Sequence, residues 1–243
     1  MQLSFEILIF TYALPLGDRY YDWYTIFLMQ TSNPNVIFYG HICIDRNEIA
    51  GEKITESPGS PSYFGAITLG TLNIPSLIIS PWGSDYPSAW KEKISLIPTS
   101  PTAKNTLVYE NSYDDHGTRT LGAYNQEGAL PILPSEIPGS ILKNCQVFSI
   151  APLVANIPAE FIQTIHSKLN SSAKLVCMPQ GFFRRIDESG NVSKGTWKDA
   201  HIIAPLCDFI FVSEEDSEDM DQNAHMWSLQ KSIVLVTRAE KGC

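Results

Sequence analysis

Asp45 closes the apolar run "VIFYGHICID", and Gly59 stands just ahead of the helix-forming stretch in "PGSPSYFGAITLG". A carboxylate at the carboxyl end of a strand lies where open α/β sheets bind their ligands, and a helix N-cap or a surface charge is the competing reading. Glycine before a helix lets a ligand approach the backbone closely, so the amides of Gly59 and Ser60 can meet hydroxyls, with an ordinary helix-entry turn as the alternative. Ser62, Asn111 and Arg119 are further polar candidates, each also explained by turn or hairpin chemistry. Downstream, Glu214 to Asp221 holds six carboxylates in eight residues. A solvated, acidic helix start accounts for most of that run. The last stretch, "SIVLVTRAEKGC", reads as a buried strand leading into a small-residue loop of the kind that meets ligands.

Other chemistries fall away. The five histidines form no i, i+4 pair, and no G-x-S-x-G, Walker-type or H-E-x-x-H word occurs, which removes serine hydrolase, P-loop and zinc readings. A formal net charge of -9 speaks against a grip on nucleic-acid backbones. The five cysteines are widely spaced without a C-x-x-C pair, the usage expected of reduced thiols in a cytoplasmic protein. "FEILIFTYALPL" near the start has no Lys or Arg ahead of it and is broken by Pro15, so it is not read as a signal peptide. No uninterrupted apolar run approaches the length of a membrane span.

The elements that must position these residues follow from residue 36 onward, where apolar runs of strand length alternate with amphipathic stretches. That alternation predicts an α/β fold, a mostly parallel sheet with helices on both faces. Expected strands are "NVIFYGHICI", "SLIIS", "CQVFSIA", "AKLVCM", "CDFIFV" and "SIVLVT"; expected helices are "YFGAITLGTL", "PAEFIQTIHSKL" and the region of "MDQNAHMWSLQK". One segment breaks the rhythm. "NTLVYENSYDDHGTRTLGAY" has two β-rich arms around "YDDHG", which predicts an antiparallel flap over about 105–124, outside the main sheet. Residues 1–35 fit neither pattern and are read as an N-terminal extension, with 36–243 as the domain.

Three of these stretches in this order, "VIFYGHICID", "PGSPSYFGAITLGTLNIPSLIISPWGSDY" and "CDFIFVSEEDSE" followed by "SIVLVTRAEKGC", resemble the PfkB or ribokinase-like family of carbohydrate kinases. "SIAPLVANIP" and "MPQGFFRRIDESGNVSKGTW" resemble its myo-inositol and sugar kinase-like branch. The resemblance implies a ribokinase-like three-layer sandwich. It implies ATP and Mg2+ as cofactors and a small-molecule sugar or polyol as partner, held by Asp45, Gly59, Ser60, Ser62, Asn111 and Arg119. On the nucleotide side it implies Ser213, Glu215, Asp216, Thr237 and Gly242, with Glu215 and Asp216 reaching the metal through water. A homodimer through the β flap is a further expectation.

The chain departs from the family at three places. Pro58 replaces the first Gly of the usual pair, and Ala239 stands where the nucleotide loop usually has Gly. The family's catalytic base and anion hole come from a Gly-Ala-Gly-Asp motif downstream of that loop, and the word is absent from these 243 residues. The resemblance therefore implies a truncated kinase whose base lies beyond Cys243, without sugar kinase activity as it stands. The alternatives are a non-catalytic sugar-binding or regulatory member and, more distantly, a nucleoside kinase.

Overall fold

The computed structural model describes residues 34–49, 52–113 and 119–243. The larger part of the N-terminal extension, and the turn expected at Asp114 to Gly117, lie outside the described residues.

The strands are β1 (Val36–Gly40), β2 (Cys43–Ile49), β3 (Glu52–Gly59), β4 (Ser76–Ile79), β5 (Leu96–Ile97), β6 (Val108–Tyr113), β7 (Arg119–Tyr124), β8 (Val147–Ala151), β9 (Lys174–Cys177), β10 (Arg184–Ile186), β11 (Val192–Lys194), β12 (Phe209–Ser213) and β13 (Ile233–Thr237). The α-helices are α1 (Pro61–Thr71), α2 (Ser88–Lys91), α3 (Gly139–Asn144), α4 (Ala159–Lys168), α5 (Ala200–Ile203) and α6 (Met220–Ser228). Seven strands form one sheet in the order β13-β12-β9-β8-β1-β4-β5. Every neighbouring pair in it is parallel.

Side-chain alternation along the central strands explains why helices cover both faces. Ile37, Tyr39 and Ile79 pack into a core with Leu142 of α3, Ile162 and Ile165 of α4, and Met220 and Trp227 of α6. Phe38 and Ile78 turn the other way and pack with Tyr63 and Ala66 of α1. In α4, Ala159, Ile162 and Ile165 recur at the helical period, while Glu160 in its first turn and Lys168 in its last suit the helix dipole. Ser60 caps α1 by accepting the Tyr63 N–H at 3.0 Å, and Pro61 takes the first helical position, where its missing N–H costs nothing.

A second sheet, of four strands in the order β3-β2-β6-β7, stands apart from the first. It corrects the sequence reading in two ways. "NVIFYGHICI" is not one strand: β1 stops at Gly40, and β2 belongs to the smaller sheet, so Asp45 does not end the first core strand. The flap, in turn, is wider than the 108–124 hairpin and of mixed direction, because β2 runs parallel to β6. At the break, a Cβ on Gly40 would lie 2.1 Å from the Ala151 carbonyl oxygen, which also accepts the N–H of buried His41 at 3.4 Å.

The loop after β4 is tied to the start of β6 by Asp85. Its carboxylate accepts both the N–H and the hydroxyl of buried Thr106 at 2.7 Å, and Thr106 Oγ1 in turn accepts the Gly83 N–H at 2.9 Å. Asp85→Asn keeps the acceptor and loses the charge, so unfolding in urea is expected to show a loss of about 1 kcal/mol. An unchanged midpoint would mean that the turn holds without charge assistance.

Candidate functional site

Where the small sheet faces the carboxyl edge of the large one, a cavity of about 270 Å³ opens. Among its lining residues are Asp45 from β2, Ser60 at the entry to α1, Asn111 from β6, and Gln180 and Arg184 from the segment after β9. Phe64, 55% exposed, and Tyr109 contribute rings to the lining, and Leu121 an aliphatic side chain. Polar groups and rings converging on a pocket of this size suit a small ligand with both hydroxyl and C–H surface.

The Asp45 carboxylate accepts the Cys43 thiol at 3.2 Å. Burial, with this carboxylate beside it, pushes the Cys43 thiol well above its ordinary range. Gly59 pairs with Cys43 across the β2–β3 ladder, and a Cβ there would lie 2.4 Å from the carboxyl carbon and both oxygens of Asp45. Glycine is thus what leaves room for the carboxylate. Arg184 lies over the Tyr109 ring at 4.5 Å and donates to the Leu153 carbonyl at 3.4 Å, contacts that carry no opposing charge. The Tyr109 hydroxyl donates to the same carbonyl at 2.5 Å. Burial raises the Tyr109 hydroxyl, opposed by Arg184, so it stays a donor at neutral pH.

Asp45, Ser60 and Asn111 of the sequence-derived acceptor set meet at this cavity, with Gly59 beside Asp45. Ser62 does not line it: it is fully buried, and its hydroxyl has no hydrogen-bond partner among the described residues. The side chain of Arg119 lies outside the described residues. Sequence reasoning passed over Cys43, Tyr109, Gln180 and Arg184. The two adjacent arginines of "QGFFRR" were the available signal for the last of these.

The second set gathers at the ends of β12 and β13, where Ser213 pairs with Thr237 in register. Asp216 turns back to accept the Ser213 N–H at 2.9 Å, and the Ser213 hydroxyl accepts the Glu215 N–H at 3.2 Å. Burial raises the Asp216 carboxyl, while the bond from Ser213 and the charge of Arg184 pull it down. Arg184 thus lines the cavity while its charge also acts on Asp216. Arg238 holds Glu214 at 3.0 Å and Asp221 at 2.5 Å beside a shallower hollow of about 470 Å³. Thr237 donates to the Val212 carbonyl at 3.2 Å, and the Gly242 carbonyl accepts the Arg238 N–H at 2.7 Å, closing the loop. Among the described residues no three His, Cys, Asp or Glu side chains converge as a metal shell.

Ala239, where glycine was the expected residue, adopts φ 47°, the left-handed region. Ala239→Gly is expected to raise stability by up to about 1 kcal/mol, read from thermal unfolding. Destabilisation would mean that the methyl group makes a contact worth more than the strain.

No protein-family model and no curated protein sequence matches the chain. Solved structures do. A pyrophosphate-dependent kinase in the ribokinase family, determined as a sulfate complex, is 21% identical with a TM-score of 0.67, over 84% of this chain and 73% of that one. A pyrophosphate-dependent kinase in the ribokinase family complexed with a pyrophosphate analog and myo-inositol gives 18% identity and a TM-score of 0.64, over 84% and 72%. A ribokinase from Giardia lamblia gives 17% and 0.60, over 87% and 71%.

Proposed function

From a chain that has the ribokinase-like fold, we propose a carbohydrate kinase function: binding of a sugar or cyclitol in the Asp45 cavity, for transfer of a phosphoryl group to one of its hydroxyls. The observation that carries this reading is that Asp45 and Arg184, a carboxylate and a guanidinium, line the same cavity. Asp45 would accept hydroxyls of the acceptor, Ser60 and Asn111 would fix its orientation, and Phe64 would cover its C–H face. Arg184 would meet the negative charge of the group in transit, the role fixed cationic donors play in phosphoryl transfer.

On the donor side, Ser213, Thr237 and Gly242 would hold ATP, and Glu215 and Asp216 would hold Mg2+ through its water, which neutralises phosphate charge when bound. Pyrophosphate is the second reading of the donor, favoured by the two pyrophosphate-dependent neighbours. A cytoplasmic location belongs to the same proposal, supported by the free cysteines. A homodimer would form through the four-stranded sheet.

Binding tests the acceptor and the donor separately. Calorimetry against myo-inositol, its isomers and common hexoses tests the acceptor, and titration with ATP and with pyrophosphate in Mg2+ tests the donor. Saturable binding of a polyol that Asp45→Asn weakens supports the reading. No binding by any polyol, with tight binding of a nucleoside, would replace it.

A further inference from the structure

His41 is fully buried where the chain leaves the large sheet for the small one, and both ring nitrogens are engaged. Nδ1 accepts the Leu153 N–H at 3.0 Å, so the proton sits on Nε2, which donates to the Ala129 carbonyl at 3.0 Å. Burial lowers its pKa to about 4, which keeps the ring neutral and this tautomer in place. Each partner occupies a strategic position. Ala129 ends the short helical turn Gln126–Ala129, by which the chain returns from β7, and Asn156 donates to the same carbonyl at 2.7 Å. Leu153 lines the acceptor cavity, and its carbonyl is the shared acceptor of Tyr109 and Arg184.

We propose that His41 is a positioning residue for the acceptor cavity: it fixes the peptide that leads into Leu153, whose carbonyl anchors Tyr109 and Arg184, and joins the entrance of the small sheet to its exit. Its side chain is not among those lining the cavity, so its effect on a ligand passes through that peptide. The peptide between Pro152 and Leu153 is held at its N–H by His41 and at its C=O by the Gly181 N–H at 3.0 Å, which fixes the direction of the next carbonyl, that of Leu153. Released at the N–H, it would let that carbonyl turn and the guanidinium and the phenol move with it, and small displacements of positioning groups cost binding and rate steeply.

Two substitutions separate positioning from mere support. His41→Asn sets an amide oxygen near the place of Nδ1 and keeps the Leu153 bond while losing the one to Ala129; His41→Gln sets its amide near the place of Nε2 and does the reverse. Each loses one buried hydrogen bond, so both should unfold at similarly lowered urea midpoints. The proposal predicts that His41→Gln alone speeds amide exchange in ligand-free 107–113, and alone loses about tenfold in myo-inositol affinity, the factor that follows from about 1.4 kcal/mol. Tyr109→Phe, which cuts the same anchor without touching His41, should speed the same exchange and add little to His41→Gln. Equal exchange in the Asn and Gln variants would overturn the proposal, as would unaltered exchange in Tyr109→Phe if the histidine variants do not fold. The affinity clause rests on the polyol reading. If wild-type protein ignores myo-inositol that reading is at fault, and ligand-free exchange still decides the role of His41.

Discussion

Asp45→Asn is expected to weaken polyol binding by about 1.5 to 3 kcal/mol, the contribution of a hydrogen bond to a charged group, while leaving the fold intact. The carboxylate sits inside β2 rather than at the end of a core strand, and lines the cavity opposite the large sheet. Because it is part of the cover, its loss should remove ligand contact without opening the main core. Gly59→Ala provides an independent route to the same defect. Its methyl group would occupy space now taken by the Asp45 carboxylate, 2.4 Å away, and would force that group aside. The two changes act on one group, so their effects should fall well short of additive in a double-mutant cycle. Calorimetry on the four proteins measures this; full additivity, or unchanged affinity in Asp45→Asn, would assign Asp45 a structural role only.

Arg184→Gln is expected to cost about tenfold to a hundredfold in pyrophosphate affinity, because a charge-assisted contact to an anion is about twice as strong as a neutral one. Polyol affinity should fall less. The guanidinium is held from below by the Tyr109 ring and the Leu153 carbonyl, which orient it and leave its charge available. Its charge also offsets the burial that raises the Asp216 carboxyl, so the substitution should drive that carboxyl higher still. Arg184→Lys distinguishes charge from shape: it keeps the charge and loses the planar fork that lies over the ring. If pyrophosphate binds all three proteins equally, Arg184 is a wall of the acceptor cavity and nothing more.

The parallel sheet was legible because its central strands are buried on both faces and all its longer strands read as short apolar runs between helical periods, as "SLIIS" and "CDFIFV" do. The same property concealed where the chain changes sheets. A largely apolar run such as "NVIFYGHICI" marks the crossing only by Gly40 and His41, too slight a signal to divide it into two strands. β3 was invisible for the opposite reason: "EKITESPG" is polar and ends in Pro-Gly, yet it pairs with β2 through Pro58 and Gly59. Asp45, Ser60 and Asn111 could be found because acids, hydroxyls and amides near turns are conspicuous. Tyr109 and Leu153 could not, since they resemble any buried strand or loop residue until the two sheets face each other. His41 had only its burial to show, and burial is a property of the fold.

The parallel pairing of β2 with β6 bears on the order in which the molecule assembles. Both antiparallel pairs of the small sheet, β2 with β3 and β6 with β7, join strands close in sequence, and such contacts form early. Joining them requires partners 64 residues apart, as Asn47 and Asn111 are, with α1, β4 and β5 lying between. Loop-closure entropy must be met before that seam returns any free energy, so it should close only after β1, α1 and β4 have packed. Late in folding and early in unfolding, the seam would make the acceptor cavity the last feature of the protein to mature and the first to be lost.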